Sequence, residues 1–159
     1  MRIAVITVSD RCSRGERKDA SGPALAEAIQ RHGWAVAERA VLADEVAGIE
    51  EALARLADSG AVDVVLTTGG TGLAARDVTP EATLAVVSRR VPGMAEAMRA
   101  ASLAATPHAM LSRAEAGVRG RCLIVNLPGS PRGAVECFEV VAPALTHAVE
   151  LLRGASPDL

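Results

Sequence analysis

The apolar run Val62-Asp63-Val64-Val65-Leu66 passes directly into Thr67-Thr68-Gly69-Gly70-Thr71-Gly72, and Asp77-Val78-Thr79-Pro80-Glu81 follows five residues later. The first five residues read as a buried strand. The next six carry almost no side-chain bulk, so the backbone there can take positive φ and bring bare N–H groups against a ligand. Three threonines add hydroxyls beside those amides. A loop of this kind suits phosphate oxygens, and Asp77 stands where a carboxylate could hold a metal ion on the same phosphates.

Two further runs resemble this strand: Ile3 to Val8 and Leu123 to Leu127. None alternates as a half-wet strand does, so each is expected in a parallel sheet covered on both faces. Helical patterns separate them. One opens at Ser21-Gly22-Pro23, buries Leu25, Ala28 and Ile29, and stops at Gly33; Val36 to Leu42 is then a further strand. Asp44 reads as the N-cap of a helix carrying Ile49, Leu53 and Leu56 up to Gly60. Thr79 reads as the N-cap of another, with Pro80 at its first position. Beyond Pro92-Gly93, Met94, Met98 and Leu103 predict a helix. Leu111 to Val118 is expected to pair with Cys122 to Leu127 across Gly120. Ser130-Pro131 opens a last helix to Leu152, with a kink at Pro143. Together these predict one three-layer αβα domain over residues 1–159 with a mainly parallel sheet.

In such sheets ligands sit beyond the carboxyl ends of the strands. Here three strand ends run into small polar segments: Ser9-Asp10-Arg11, Thr67 to Gly72, and Asn126-Leu127-Pro128-Gly129-Ser130. Their convergence would build one site.

Composition narrows the classes of function. Half of the 159 residues are hydrophobic, yet no run reaches the roughly 18 apolar residues of a membrane span. The start, Met1 to Ile6, turns polar at Ser9 and reads as a strand, so a cytoplasmic protein is expected. A net charge of −2, one Trp, one Phe and no Tyr argue against a nucleic-acid surface. Cys12, Cys122 and Cys137 form neither a zinc pattern nor a disulfide framework. Cys12 lies between Arg11 and Arg14, a setting for an activated thiol, although a bystander in a polar loop explains it as well.

Familiar nucleotide signatures are absent. The phosphate loop of NTPases needs a lysine after its glycines, and the single lysine, Lys18, is elsewhere. Gly70-Thr71-Gly72-Leu73-Ala74-Ala75 fits the dinucleotide pattern formally, but no helix opens there. Asp77 reads equally as an Asx-turn residue, as a surface partner of Arg76, or as a metal ligand. Asp44 is accounted for by capping alone. Asn126, an amide ending an apolar strand, needs partners or a ligand. Arg11, Arg14, Arg17 and Lys18 fit a mobile surface loop or a flap over an anion.

Thr67 to Gly72 with Arg76-Asp77-Val78-Thr79-Pro80-Glu81-Ala82-Thr83 resembles the signature of the MogA/MoaB family of molybdenum cofactor biosynthesis. The other landmarks come in the same order: Ser9-Asp10-Arg11, Asp44-Glu45, Pro92-Gly93, Leu111-Ser112-Arg113-Ala114, and Asn126 to Pro131. The chain is similar to its molybdopterin adenylyltransferases, relatives of the gephyrin G domain, over nearly its whole length.

The resemblance implies a Mg²⁺-dependent reaction in which molybdopterin and ATP give adenylyl-molybdopterin and pyrophosphate. It implies that Asp44 and Asp77 are the two aspartates required for activity and candidate Mg²⁺ ligands. It places the nucleotide phosphates on Thr68-Gly69-Gly70-Thr71-Gly72. Asn126 to Ser130, with Ser9 and Asp10, would line the shared cleft, and Ser112 and Arg113 the pterin-phosphate side. It also implies a homotrimer and hand-over of product to a molybdate-inserting enzyme. The alternative it carries is a molybdopterin-binding paralogue without catalysis.

Overall fold

The computed structural model describes residues 1–154, so the last five positions of the expected domain lie outside the described residues. Its strands are β1 (Arg2–Val8), β2 (Ala35–Leu42), β3 (Val64–Thr68), β4 (Arg89–Arg90), β5 (Ala116–Arg119) and β6 (Cys122–Leu127). Its helices are α1 (Asp10–Ser13), α2 (Ser21–Arg31), α3 (Val46–Asp58), α4 (Thr79–Val86), α5 (Pro92–Leu103) and α6 (Pro131–Leu152), with a 3₁₀ turn over Pro107–Leu111.

The strands form one sheet in the order β2-β1-β3-β6-β5-β4. β2, β1, β3 and β6 are parallel, while β5 and β4 complete the edge in antiparallel pairing. Period-two geometry divides each apolar run between two cores. Ile3 and Val5, Val64 and Leu66, and Leu123 and Val125 face α2, α5 and α6, where Phe138 is fully buried. Ala4, Ile6 and Val8, with Val65 and Ile124, face Ile49, Leu53 and Leu56 of α3 and Ala82 of α4. The expected three-layer arrangement is the one observed. Among the described residues no helix is long and apolar enough to cross a membrane.

Local expectations needed correction where side chains had better partners than the helix end. Asp44 does not cap α3; that helix begins at Val46, with Glu45 at the cap position making no side-chain capping bond. Thr79 is the first residue of α4, and its hydroxyl donates to the Gly69 carbonyl at 2.9 Å instead of capping. Leu103 is 45 % exposed, because it lies one residue past the stripe that buries Ala95 and Met98. β5 starts only at Ala116. Residues before it are taken up elsewhere: Leu111 ends the 3₁₀ turn, and the Arg113 amide donates to the Thr71 carbonyl at 2.9 Å. α6 runs unbroken through Pro143, which sits on its exposed side.

Candidate active site

Strand register assembles the site. Thr7 pairs with Thr68, Thr68 with Leu127, and Val8 with Leu42, so four parallel strands end side by side. The segments after them (Ser9-Asp10, Asp44, Gly69 to Gly72, and Pro128 to Ser130) therefore lie in one row at the carboxyl edge. This is the convergence the sequence predicts.

The glycine loop is held tightly. Gly69 has φ 101° and Gly70 φ 65°. A Cβ on Gly69 would overlap the Val8 carbonyl oxygen, and one on Gly70 the Thr79 hydroxyl. The surrounding threonines fasten the loop more than they offer free donors. Thr68 Oγ1 donates to the Pro128 carbonyl at 2.7 Å, and Thr67 Oγ1 accepts from Asn126 Nδ2 at 3.0 Å.

Two clefts flank this loop. The first, about 370 Å³, is lined by Ser9, Asp44, Thr68, Gly69, Gly70 and Asp77, with Cys12, Arg17, Lys18 and Asp19 across from them. The second, about 280 Å³, is lined by Thr71, Gly72, Ser112, Pro128, Met98, Arg99 and Leu111, among others. Ser130 belongs to both. Its Oγ accepts the Gly133 N–H at 3.1 Å, so the start of α6, favourable to anions, lies at the seam.

An unusual charge arrangement lies beside the first cleft, which Asp44 and Asp77 line. Asp10 and Asp44 each accept the other's backbone N–H, at 3.0 and 2.7 Å. Arg76 holds Asp10 with two bonds of 2.9 Å and reaches Glu45 at 3.0 Å. Arg76 thereby keeps the Asp10 carboxyl below its usual range. Asp44 is shifted the other way: burial raises it first, and the charges of Asp10 and Asp77 add to that, against an opposing contribution from the Asp10 amide. Asp77 is not the partner of Arg76. Its Oδ2 accepts the N–H of Ala74, three residues earlier, at 2.9 Å; the bond runs backward along the chain and is not an Asx turn, and the residue lines the cleft.

Not every expected site residue reaches a cleft. Asn126 is fully buried and its amide is spent: Oδ1 accepts the Glu115 N–H at 3.1 Å, and Nδ2 donates to Thr67 Oγ1 and to Thr83 Oγ1 at 2.8 Å. Leu127 is a core residue. The Asp10 carboxylate is occupied by Arg76 and the Asp44 amide. The Arg113 guanidinium donates to the Gly72 and Asp77 carbonyls, each at 2.7 Å, and to Glu81. Ser9 does line the first cleft, but its Oγ accepts the Cys12 N–H at 3.2 Å. Gly129 and Pro128 do line the clefts, as do Ser112, Thr71 and the loop glycines.

Sequence reasoning also missed residues. Asp19 accepts the Thr7 hydroxyl at 2.9 Å and the Gly22 N–H at 3.0 Å, fixing the start of α2 beneath the first cleft. Asp-x-Ser-Gly-Pro could have revealed it as a turn. Arg99, which donates to the Ser112 and Ala114 carbonyls at 3.3 and 3.0 Å, gave no local signal. Cys122 and Cys137 are buried, and burial pushes the Cys122 thiol up to about 12.

The family described as "Probable molybdopterin binding domain" matches residues 4–147. The chain is 44% identical over 156 residues to a protein of Helicobacter pylori strain J99 named molybdopterin adenylyltransferase, covering 97% of this chain and 89% of that one. It is 43% identical over 157 residues to the Escherichia coli K12 protein of that name, covering 94% and 77%. The crystal structure of the molybdopterin biosynthesis enzyme MoaB from Thermus thermophilus superposes with a TM-score of 0.91 at 50% identity, covering 96% of each chain. With matching sequence over nearly its whole length and a matching fold, the chain belongs to the molybdopterin-binding domain family.

Proposed function

We propose that this chain is a Mg²⁺-dependent molybdopterin adenylyltransferase. The observation that carries the reading is Ser130 at the seam of two clefts, with Asp44 and Asp77 lining one of them. ATP would place its phosphates in the first cleft, against the Gly69 to Gly72 backbone and near Arg17 and Lys18. Molybdopterin would lie in the second, whose Met98, Ala109 and Leu111 suit a flat ring. The names of the relatives support both substrates.

The residues present fit a magnesium ion. Asp44 carries a carboxyl raised by burial and by two neighbouring carboxylates, a strain that a cation would relieve. Among the described residues no cluster of three or more acidic, His or Cys ligands exists, and Mg²⁺ commonly takes one or two carboxylates plus substrate phosphates. When bound there, the ion would polarise the phosphates and offset the charge of the leaving group.

The chain's own contribution is orientation. Backbone amides and the α6 N-terminus hold two anions that would otherwise repel each other. An oxygen of the molybdopterin terminal phosphate forms a bond to the α-phosphorus of ATP. The bond from that phosphorus to the bridging oxygen breaks, and the electron pair leaves with pyrophosphate. No step needs a protein nucleophile.

The reading extends to a cytoplasmic homotrimer that passes its product to a molybdate-inserting enzyme. Exposed Leu103, Met110 and Leu111 support self-association, which light scattering would test. The central experiment is pyrophosphate release from Mg·ATP with and without molybdopterin. Release that requires molybdopterin supports the transferase. Tight molybdopterin binding without pyrophosphate would replace it with a binding protein.

A further inference from the structure

We infer that Arg113 is a positioning residue which transmits the geometry of the second cleft to Asp77, rather than a ligand of substrate phosphate; this rests on the proposed adenylyl transfer. The guanidinium has five N–H donors in a fixed fork. Nε donates to the Gly72 carbonyl and Nη2 to the Asp77 carbonyl, both at 2.7 Å; Nη1 donates to Glu81 Oε1 and Nη2 reaches Glu81 Oε2 at 3.5 Å. Those contacts leave little donor capacity for a ligand. They also span both ends of the Gly72–Asp77 loop, so one planar group sets the spacing between the glycine loop and the aspartate.

The strut continues on its other side. The Arg113 amide donates to the Thr71 carbonyl at 2.9 Å. Its neighbours Ser112 and Ala114 are held through their carbonyls by Arg99 of α5. Arg99, Ser112, Thr71 and Gly72 all line the second cleft, whereas Asp77 lines the first. Hydrogen bonds joined by the backbone of residues 112–114 therefore run from the wall of one cleft to the main-chain carbonyl of Asp77, a residue that lines the other. Lysine keeps the charge of Arg113 but gathers its three donors on one nitrogen, without the planar fork that spans these separated acceptors.

Arg113→Lys is the informative variant, with Glu81→Gln as the control that leaves both carbonyl contacts in place. Calorimetric titration with ATP, in excess Mg²⁺ and in EDTA, reads the Asp77 side of the strut without turnover. The Mg²⁺-dependent gain in ATP affinity should shrink about tenfold in Arg113→Lys, with affinity in EDTA changed less than about twofold. In the pyrophosphate assay kcat should fall at least about tenfold while KM for molybdopterin moves less than about threefold. Glu81→Gln should stay within about threefold of wild type in both measurements. A raised KM for molybdopterin with an unchanged Mg²⁺ gain would make Arg113 a substrate ligand and overturn the inference. Unchanged kcat and Mg²⁺ gain, with only a lower Tm, would overturn it as well, as would a wild type showing no Mg²⁺ gain. A wild type that binds Mg·ATP more tightly than ATP but releases no pyrophosphate removes the transferase reading alone, and the titration still decides Arg113.

Discussion

Asp10 and Asp44 satisfy each other's backbone: the Asp10 N–H donates to Asp44 Oδ2 at 2.7 Å and the Asp44 N–H to Asp10 Oδ1 at 3.0 Å. This reciprocal clasp ties the loop after β1 to the loop after β2, so Asp44 has a structural duty besides any chemical one. Asparagine preserves an acceptor and alanine does not. Asp44→Asn should keep Tm within a few degrees of wild type and lose pyrophosphate release by about 100-fold or more. Asp44→Ala should lose the same activity and about 1–3 kcal/mol of stability besides, from the orphaned Asp10 amide. Thermal melts beside the pyrophosphate assay separate the two.

The Asp77 side chain has no such double duty beyond its single bond to the Ala74 amide. Asp77→Ala should abolish molybdopterin-dependent pyrophosphate release, leaving the far-ultraviolet circular dichroism unchanged. Near-normal release by this variant would remove Asp77 from the mechanism.

Acid pH should act through opposite shifts in neighbouring carboxyls. The folded-state pKa of Asp44 lies above its ordinary 3.8, so the folded chain holds that proton more tightly. Its contribution to stability declines as pH rises through that interval and stays lower above it. Asp10, lowered mainly by its bond to Arg76, contributes stability above 3.8 that is lost as pH falls through its folded value. In the proposed reaction Asp44 acts in its ionised form. Arg76→Ala removes the cation that favours both anions, so the acid limb of kcat should move to higher pH. A pH–rate profile carried down to the ordinary 3.8 reads this directly, and an unmoved limb would exclude Asp44 as the titrating group.

Gly70→Ala forces a Cβ onto the Thr79 hydroxyl at a residue with φ 65°. Stability should fall by more than about 1 kcal/mol in urea unfolding, and the affinity for Mg·ATP should fall with it as the loop is displaced.

Asn126→Leu tests a buried role against a ligand role. It strands the Thr67 and Thr83 hydroxyls and the Glu115 amide, at a cost of about 2–4 kcal/mol in urea unfolding. ATP titrated below the unfolding transition should bind nearly as in wild type. Weaker binding at unchanged stability would return Asn126 to the cleft.

The layers were legible because the evidence for them is local. Three near-continuous apolar runs and helices with apolar stripes such as Leu25, Ala28 and Ile29 carry their own periodicity. The row of strand ends was legible for the same reason. What could not be read was which side chains were already engaged. Whether Asn126 had protein partners or a ligand stayed open, because Thr67, Thr83 and Glu115 are distant in sequence. Asp44 and Thr79 looked like caps because capping is the bond a local reading can see, whereas their partners, Asp10 and Gly69, are 34 and 10 residues away. Arg76 was read beside Asp77, its neighbour in sequence, but it bonds to Asp10.

Ser130 gives the arrangement a kinetic consequence. In the proposed reaction, each of the two reactants in the clefts can dissociate alone. Once joined, they form a single occupant gripped on both sides of the seam, and it escapes only when both grips open together. The residence time of that occupant then exceeds that of either precursor, and a protein able to prise open one wall would set the pace of release.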